Sequence, residues 1–226
     1  MESISILPSL LARQDWGRHQ PLVDGFCHWS QYPLFLQMLT QLNRAVLFDS
    51  PIHGLGHIER TMCHGAMCAQ AEGFSEADTR LLLLACSYHD VGRRDDSLDN
   101  EHGYRSAQQI GQLTGCSGED LAILQGAVDA HARPDHQLPA TVQRYHPADV
   151  QHAITIATLL KDADGLDRVR IWDLNVSYLR RTSSKLRADF AQELYRRYQA
   201  ASHGVLVPEF VRKWKGLDED GHPKMC

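Results

Sequence analysis

The chain has 226 residues, 43% of them hydrophobic and 23% charged, so it can bury one substantial core without disulfides or a second full domain. Its formal net charge of -5 argues against a nucleic-acid partner or a general attraction to an anionic membrane. This charge does not exclude a local basic pocket. No apolar run approaches the length of a membrane span, the N-terminus lacks signal-peptide features, and the six cysteines form no CxxC pair. We therefore predict a cytoplasmic protein with no membrane partner.

Apolar residues recur at helical spacing almost everywhere, and no stretch has the sustained alternation of a half-buried strand, which predicts an all-α fold. Helices are predicted over residues 33–48, 55–72, 76–90, 102–113, 118–133, 147–164 and 188–201. Gly73 should end the second of these helices, and Ser75 with Asp78 should cap the third, which contains the apolar run LLLLACSYHDVG. The segments RRDDSLDNE and ARPDHQLPATVQRYHP are interpreted as surface connections.

Residues 1–30 are the part of the chain whose structure the sequence indicates least. They contain two tryptophans and two prolines and show poor periodicity. We predict that they form an extension packed on a single domain of residues 31–226, whose functional core covers about residues 50–180. No internal repeat or low-complexity segment divides the chain.

Four polar side chains lie at the ends of the predicted helices. His57 is early in one helix, His89 and Asp90 lie at the end of the most apolar one, and Asp164 closes another. Polar groups at the rim of a core must be compensated, and helix packing can bring these four to one divalent ion. Mixed imidazole and carboxylate ligands suit Mn, Fe, Co, Ni or Zn, while carboxylates and water also tolerate Mg. The sequence predicts a metal site without choosing the metal.

Four sequence segments carry a resemblance to a known family. The stretches HGLGHIERT, LACSYHDVGRRDD, EHGYRSA and LLKDADGLDRVR resemble, in order and spacing, the motifs of the HD superfamily of metal-dependent phosphohydrolases. The resemblance implies a single-domain helical bundle of the HD type. It also implies that His57, His89, Asp90 and Asp164 are the metal ligands. Asp164 is preferred over Asp162 and Asp167 because the last ligand of the family has an Ala-Asp-x-Leu context. Asp162 and Asp167 would then support neighbouring groups or be ordinary solvated carboxylates at the helix end.

Two further histidines raise the question of a second ion. His102 and His131 lie between the His-Asp doublet and the last aspartate, where members of the family that hold two metals have additional histidines. Each could bind a second ion, contact a phosphate or donate a proton to a leaving group, so the expected metal content is one or two ions per chain. His53, four residues before His57, could line the same mouth or be simply solvated.

Basic residues near the motifs are candidates for binding a phosphate. Arg93, Lys161 and Arg168 are predicted to contact the substrate, although exposed arginines are often only solvated. Arg93 also stands where the nucleotide-hydrolysing branches of the family carry an acid, which argues against their mechanism.

The resemblance implies hydrolysis of a phosphate ester by a metal-activated hydroxide that Asp90 orients, with His102 or His131 as the proton donor. The expected substrate is a small phosphorylated molecule such as a nucleotide, and a phosphodiester is favoured. A nucleotide or sugar phosphomonoesterase, a nuclease acting on single strands, which the acidic balance disfavours without excluding, and a non-catalytic HD-fold sensor are the alternatives. The oligomeric state is not predicted.

Overall fold

The computed structural model describes residues 5–202, and this part of the chain contains eleven α-helices and no β-strand. The all-α prediction is therefore confirmed. The helices are α1 (Leu7–Leu11), α2 (Gln20–Cys27), α3 (Tyr32–Thr40), α4 (Leu55–Glu72), α5 (Glu76–Tyr88), α6 (His102–Thr114), α7 (Gly118–His131), α8 (Leu138–Gln143), α9 (Val150–Leu166), α10 (Thr182–Lys185) and α11 (Ala188–Ala201). A 3-10 helix, Asp167–Ile171, continues directly from α9.

The centre of the bundle is formed by α4, α5, α7 and α9. Helix α4 packs against α5 and α9, and α7 packs against α9 and α6. These helices are apolar on more than one side, and Met62, Leu82, Leu124 and Leu160 are fully buried among them. A helix that is buried on most sides can carry polar groups into the interior only where they find partners. The polar ends of α5, α7 and α9 are therefore the places to look for a site.

Two helix boundaries follow the capping chemistry that the sequence predicts. Gly73 ends α4 in the left-handed conformation, with φ of 67°. The Ser75 hydroxyl accepts a hydrogen bond from the backbone N–H of Asp78 at 3.1 Å and so caps α5. Both ends fix how α4 turns into α5, and these two helices carry His57 and the His-Asp doublet.

The helix predicted over residues 33–48 is too long. Helix α3 ends at Thr40, Asn43 leaves the helical region with ψ of 89°, and only a 3-10 turn, Arg44–Val46, follows. The backbone N–H of Asn43 donates instead to the Tyr88 hydroxyl at 3.2 Å. The apolar spacing continues past the break because Leu42, although it lies outside the helix, is also buried.

The segment 132–147, predicted as a surface connection, contains helical structure with buried side chains. It contains a 3-10 turn, Asp135–Gln137, and helix α8, whose Leu138, Thr141 and Val142 side chains are buried. Tertiary packing decides this, because α8 fills the space between α7 and α9.

The N-terminal residues share the core of the bundle. Leu7, Leu11, Trp16 and Phe26 are nearly or fully buried in the same apolar cluster as α4 to α11. The Trp16 ring lies 5.5 Å from that of Phe190, centroid to centroid, which joins this segment to α11. The predicted boundary at residue 30 stays a prediction, and the end of the predicted domain, residues 203–226, lies outside the described residues.

Close backbone contact fixes α6 against the doublet. A Cβ atom on Gly92 would lie 2.5 Å from the His102 carbonyl oxygen and 2.5 Å from the Ser106 nitrogen. The Gly92 N–H donates to the Ser106 hydroxyl at 2.8 Å. Only glycine allows this approach, and it holds the first turn of α6, which begins at His102, beside Asp90.

Within residues 5–202, no helix combines the length and the hydropathy needed to cross a lipid bilayer. The five cysteines in this range are free thiols.

Candidate metal centre

Two groups of metal-ligand side chains meet at one carboxylate. His57, His89 and Asp90 form the first group, and Asp90, His102 and His131 form the second, all of them buried. Asp90 Oδ2 lies 3.5 Å from His57 Nε2 and 3.6 Å from His89 Nε2. Its other oxygen, Oδ1, lies 3.1 Å from His102 Nε2 and 3.6 Å from His131 Nε2. Asp90 therefore presents one oxygen to each group.

Asp164 joins the first group. Its Oδ1 lies 3.4 Å from His57 Nε2, and the two imidazoles of this group approach to 3.1 Å between their Nε2 atoms. Ligands about 2.1 Å from a common ion lie about 3.0 Å apart at right angles and about 3.4 Å apart in a tetrahedron. The observed separations match these values, so the first group fits a divalent ion.

The orientation of the four imidazoles also fits metal binding. In three of them Nδ1 faces a backbone carbonyl: that of Cys86 for His89, of Asp99 for His102 and of Val128 for His131. A carbonyl can only accept a hydrogen bond, so Nδ1 carries the proton and a neutral ring has a bare lone pair on Nε2. His102 Nε2 and His131 Nε2 are 2.9 Å apart. Two bare nitrogens at this distance repel each other, and a cation between them removes the conflict.

The protonation states are those that ligands need. Burial lowers the pKa of His89 to about 3 and also lowers the pKa of His131, so both rings are neutral near pH 7. For Asp90, burial opposes ionisation, but the surrounding imidazoles hold its pKa well below the usual value. The pKa of Asp164 is lowered for the same reason, chiefly by His57 and Arg170 against the effect of burial. Neutral imidazoles and ionised carboxylates bind a cation without first losing protons.

Of the two alternatives for the other carboxylates of the KDADGLD segment, support of neighbouring groups or solvation at the helix end, the structure favours support, because both carboxylates are buried. Asp167 is fully buried, and its Oδ2 accepts from His57 Nδ1 at 2.8 Å while Arg60 Nε donates to its Oδ1 at 2.6 Å. Asp162 is also fully buried and accepts from the backbone N–H groups of Arg180 and Arg181, each at 2.9 Å. Asp167 thus orients His57, a predicted metal ligand, whereas Asp162 holds the chain after α9.

A cavity of about 220 Å³ opens onto the two groups. Its wall includes His53, Arg93, His102, His131, Asp164, Arg168 and Arg170. Arg93 Nε donates to Asp90 Oδ1 at 3.0 Å, so its guanidinium is fixed beside the shared carboxylate. A cavity with metal-ligand residues at its base and arginines on its wall is suited to an anion.

The three predicted phosphate-binding residues differ in their surroundings. Arg93 and Arg168 line the cavity, and Arg168 also pairs with Asp173. The Lys161 ammonium lies outside this wall, donates to the Ala130 and Arg133 carbonyls and pairs with Asp135 Oδ1 at 3.0 Å. The substrate-binding role of Lys161 stays a prediction.

In the sequence Arg170 flanks Asp164, as Lys161 and Arg168 do, but it is not among the predicted substrate contacts, and the role of His53 is left open. Arg170 is buried, donates to the Ile52 carbonyl at 2.8 Å, and has NH1 3.9 Å from Asp164 Oδ1. His53 Nδ1 lies 2.7 Å from Asp96 Oδ1, which also accepts from the Ser50 hydroxyl at 2.6 Å. The HGLGH spacing, with three residues between the two histidines, was the available signal for His53. The signal for Arg170 was its position close after Asp164, but its burial depends on the 3-10 turn after α9.

A helical bundle in which two groups of buried histidines and aspartates converge is the arrangement of a domain that could hold divalent ions. The comparison with protein families agrees with this class: the HD domain family matches residues 54–169, just over half of the chain. The chain belongs to the HD domain family, whose members include metal-dependent phosphohydrolases. Comparisons with curated proteins and with solved structures found no significant match.

Proposed function

We propose that this protein is a phosphohydrolase that uses two divalent ions per chain to cleave a phosphate ester of a nucleotide or similar small molecule, with a phosphodiester favoured. The observation that carries the proposal is that Asp90 offers one oxygen to each of two ligand groups. His57, His89 and Asp164 would complete the first ion site, and His102 and His131 the second. Paired metal sites clamp the attacking and leaving oxygens in the displacement at phosphorus.

The charge of the site supports an anionic substrate. Asp90 and Asp164 are the two carboxylates of the ligand groups, and the four histidines are neutral ligands. Two divalent ions would therefore carry more positive charge than these ligands neutralise. Arg93 and Arg170, on the cavity wall, add to it. An anion such as a phosphate ester would balance this excess.

The side chains of this protein would act around the ions. Bound divalent ions supply an activated water at neutral pH and polarise the phosphoryl oxygens. Asp90 would orient both ligand groups. Arg93, held at Asp90 by Nε and at the Ser97 carbonyl by NH1, would have N–H donors left for the oxygens of a phosphate in the cavity. His53 is held through Nδ1 by Asp96, and burial lowers its pKa to about 4, so its Nε2 is bare near neutral pH and can accept a proton at the rim of the cavity. A proton-accepting role thus suits His53 better than His102 or His131, whose Nε2 atoms face each other.

Two other functions compete with this one. A phosphomonoesterase would use the same ligands. The two ligand groups favour a phosphodiesterase only because two ions can hold both the attacking and the leaving oxygen of the displacement at phosphorus. A non-catalytic HD-fold sensor would also bind a small molecule in the cavity. The sensor is less favoured, because a scaffold has no need for four oriented imidazoles whose bare nitrogens converge.

The first prediction tests the activity. Protein purified with divalent metal in the buffer should contain close to two ions per chain by inductively coupled plasma mass spectrometry. It should hydrolyse bis-p-nitrophenyl phosphate faster than p-nitrophenyl phosphate, and a chelator should abolish both reactions until metal is restored. Metal-loaded protein that cleaves neither compound, nor any member of a panel of nucleotides and cyclic dinucleotides, would favour the sensor. Preference for the monoester would identify the phosphomonoesterase.

The second prediction separates one ion from two. His102→Ala and His131→Ala should each lower the metal content toward one ion per chain, because either change leaves the second group with one histidine and one carboxylate oxygen. His152→Ala is the matched control, since His152 contacts Asp78 at 2.8 Å and is remote from both groups. Unchanged metal content with reduced turnover would instead assign the two histidines to substrate contact or proton transfer.

A further inference from the structure

A second cavity lies directly beside the metal centre. It has a volume of about 300 Å³ and shares His131, Asp164 and Arg168 with the wall of the first cavity. Its other walls come from the start of the α7–α8 connection, from the end of α9 and from residues 173–180. A phosphate held at the two ligand groups would therefore have one of its substituents directed toward this space.

The charged groups of the second cavity already have ion-pair partners. Asp135 lies 3.0 Å from Lys161 Nζ and 2.6 Å from Arg180 NH2. Arg180 also pairs with Asp162 at 3.0 Å, and Arg168 pairs with Asp173. Arg133 pairs with Asp129 at 2.8 Å and with Glu101 at 3.3 Å. A wall whose cations are each paired with a carboxylate has little to offer a second phosphate, so it suits an uncharged group that can form hydrogen bonds.

One aromatic ring on this wall is exposed although its backbone is held on both sides. Tyr178 is 73% exposed and ends a 3-10 turn, Val176–Tyr178. Before it, Asn175 Oδ1 accepts from the Ser177 N–H at 3.0 Å, and the Asn175 carbonyl accepts from the Tyr178 N–H. After it, Leu179 is buried in the core, with only 3% of its surface exposed.

The segment that follows is anchored as well. The backbone N–H groups of Arg180 and Arg181 donate to the buried Asp162 carboxylate. The exposure of Tyr178 is thus a consequence of a fixed turn. A flat ring presented on a fixed backbone binds a planar partner at a small cost in conformational entropy.

From this geometry we propose that the second cavity is a nucleoside subsite, in which the Tyr178 ring stacks on the base of the substrate. The phosphate would lie at the two ligand groups and the sugar between the two cavities. This proposal rests on the proposed phosphohydrolase function and makes the substrate a nucleotide. Stacking accepts every base, so the subsite should distinguish a nucleotide from a sugar phosphate more strongly than one base from another.

The experiment compares two probes that differ only in the base. These are the phosphonate analogues of adenosine monophosphate and of ribose phosphate, in which a methylene group replaces the ester oxygen and prevents hydrolysis. Calorimetric titration into the metal-loaded protein should show that the adenosine probe binds about 10-fold or more tightly than the ribose probe, in line with the effect of one stacked base. Tyr178→Ala should remove most of this difference, and Tyr178→Phe should keep it.

Tyr104→Ala is the matched control, because Tyr104 is also an exposed aromatic, at 44%, but lies outside both cavity walls. It should bind both probes as the unchanged protein does. Equal binding of the two probes, or an adenosine preference that survives Tyr178→Ala, would overturn the subsite. Hydrolysis of bis-p-nitrophenyl phosphate by the same preparation tells this failure apart from failure of the phosphohydrolase function, since that assay does not require a base.

Discussion

Asp90→Asn should remove both metal ions from the protein, because Asp90 is the one side chain that belongs to both ligand groups. The amide keeps the shape of the carboxylate but removes its charge and replaces one acceptor oxygen with a donor nitrogen. Hydrolysis should fall by more than about 10³-fold, beyond the loss of about 10²–10³-fold that follows removal of a single charge-stabilising group. Metal analysis and the bis-p-nitrophenyl phosphate assay measure both effects. Helical content by circular dichroism should stay unchanged.

Asp162→Asn is the control for this experiment. Asp162 is a buried carboxylate like Asp90, but its contacts run to Arg180 and to the backbone of Arg181. It should keep both ions even if stability decreases. Full metal content in Asp90→Asn would contradict a site in which Asp90 is shared by two ions. Loss of the ions in Asp162→Asn would show that the assignment of Asp164 as the last ligand on α9 is wrong.

Asp167→Asn should weaken both the fold and the first ion site. Its carboxylate is the ionic partner of Arg60, whose side chain is only 3% exposed, and Arg60 also lies over the Tyr195 and Tyr198 rings. Loss of one member of a buried ion pair leaves the other charge without compensation and costs about 3–5 kcal/mol. His57 also loses the charged acceptor of its Nδ1–H, which should lower metal affinity by about 10–100-fold. Urea unfolding measures the first effect and titration with a competing chelator the second.

Glu59→Gln separates the two effects. Glu59 is as buried as Asp167 and accepts from the Tyr198 hydroxyl at 2.6 Å and from Arg44 NH2 at 3.4 Å, but does not contact a ligand histidine. It should lower the free energy of unfolding while leaving metal affinity unchanged. If Asp167→Asn behaves in the same way, Asp167 stabilises the fold and has no part in orienting His57.

Much of the fold could be predicted from the sequence because local physics decides it. The helical period of the apolar residues sets the all-α class, and Gly73 and Ser75 set the turn between α4 and α5 through backbone conformation and capping. Helix α11 has the predicted bounds because its apolar stripe is regular. The order of His57, the doublet and Asp164 along the chain likewise identified candidates for one site, since each stands at the end of a helix.

The tertiary structure alone decided how these residues meet. The division of Asp90 between two ligand groups depends on the approach of α6 to Gly92, a contact between segments that no periodicity encodes. The Nδ1 atoms of His102 and His131 are each held by the backbone carbonyl three residues earlier in the chain. The turn of backbone just before each histidine sets the direction of that carbonyl. Arg170 and Tyr178 lie on 3-10 turns after α9. Whether a side chain on such a turn is buried or exposed depends on what packs against the turn. Side-chain spacing predicts which face of a helix is buried, whereas distances across a site are fixed by packing between helices.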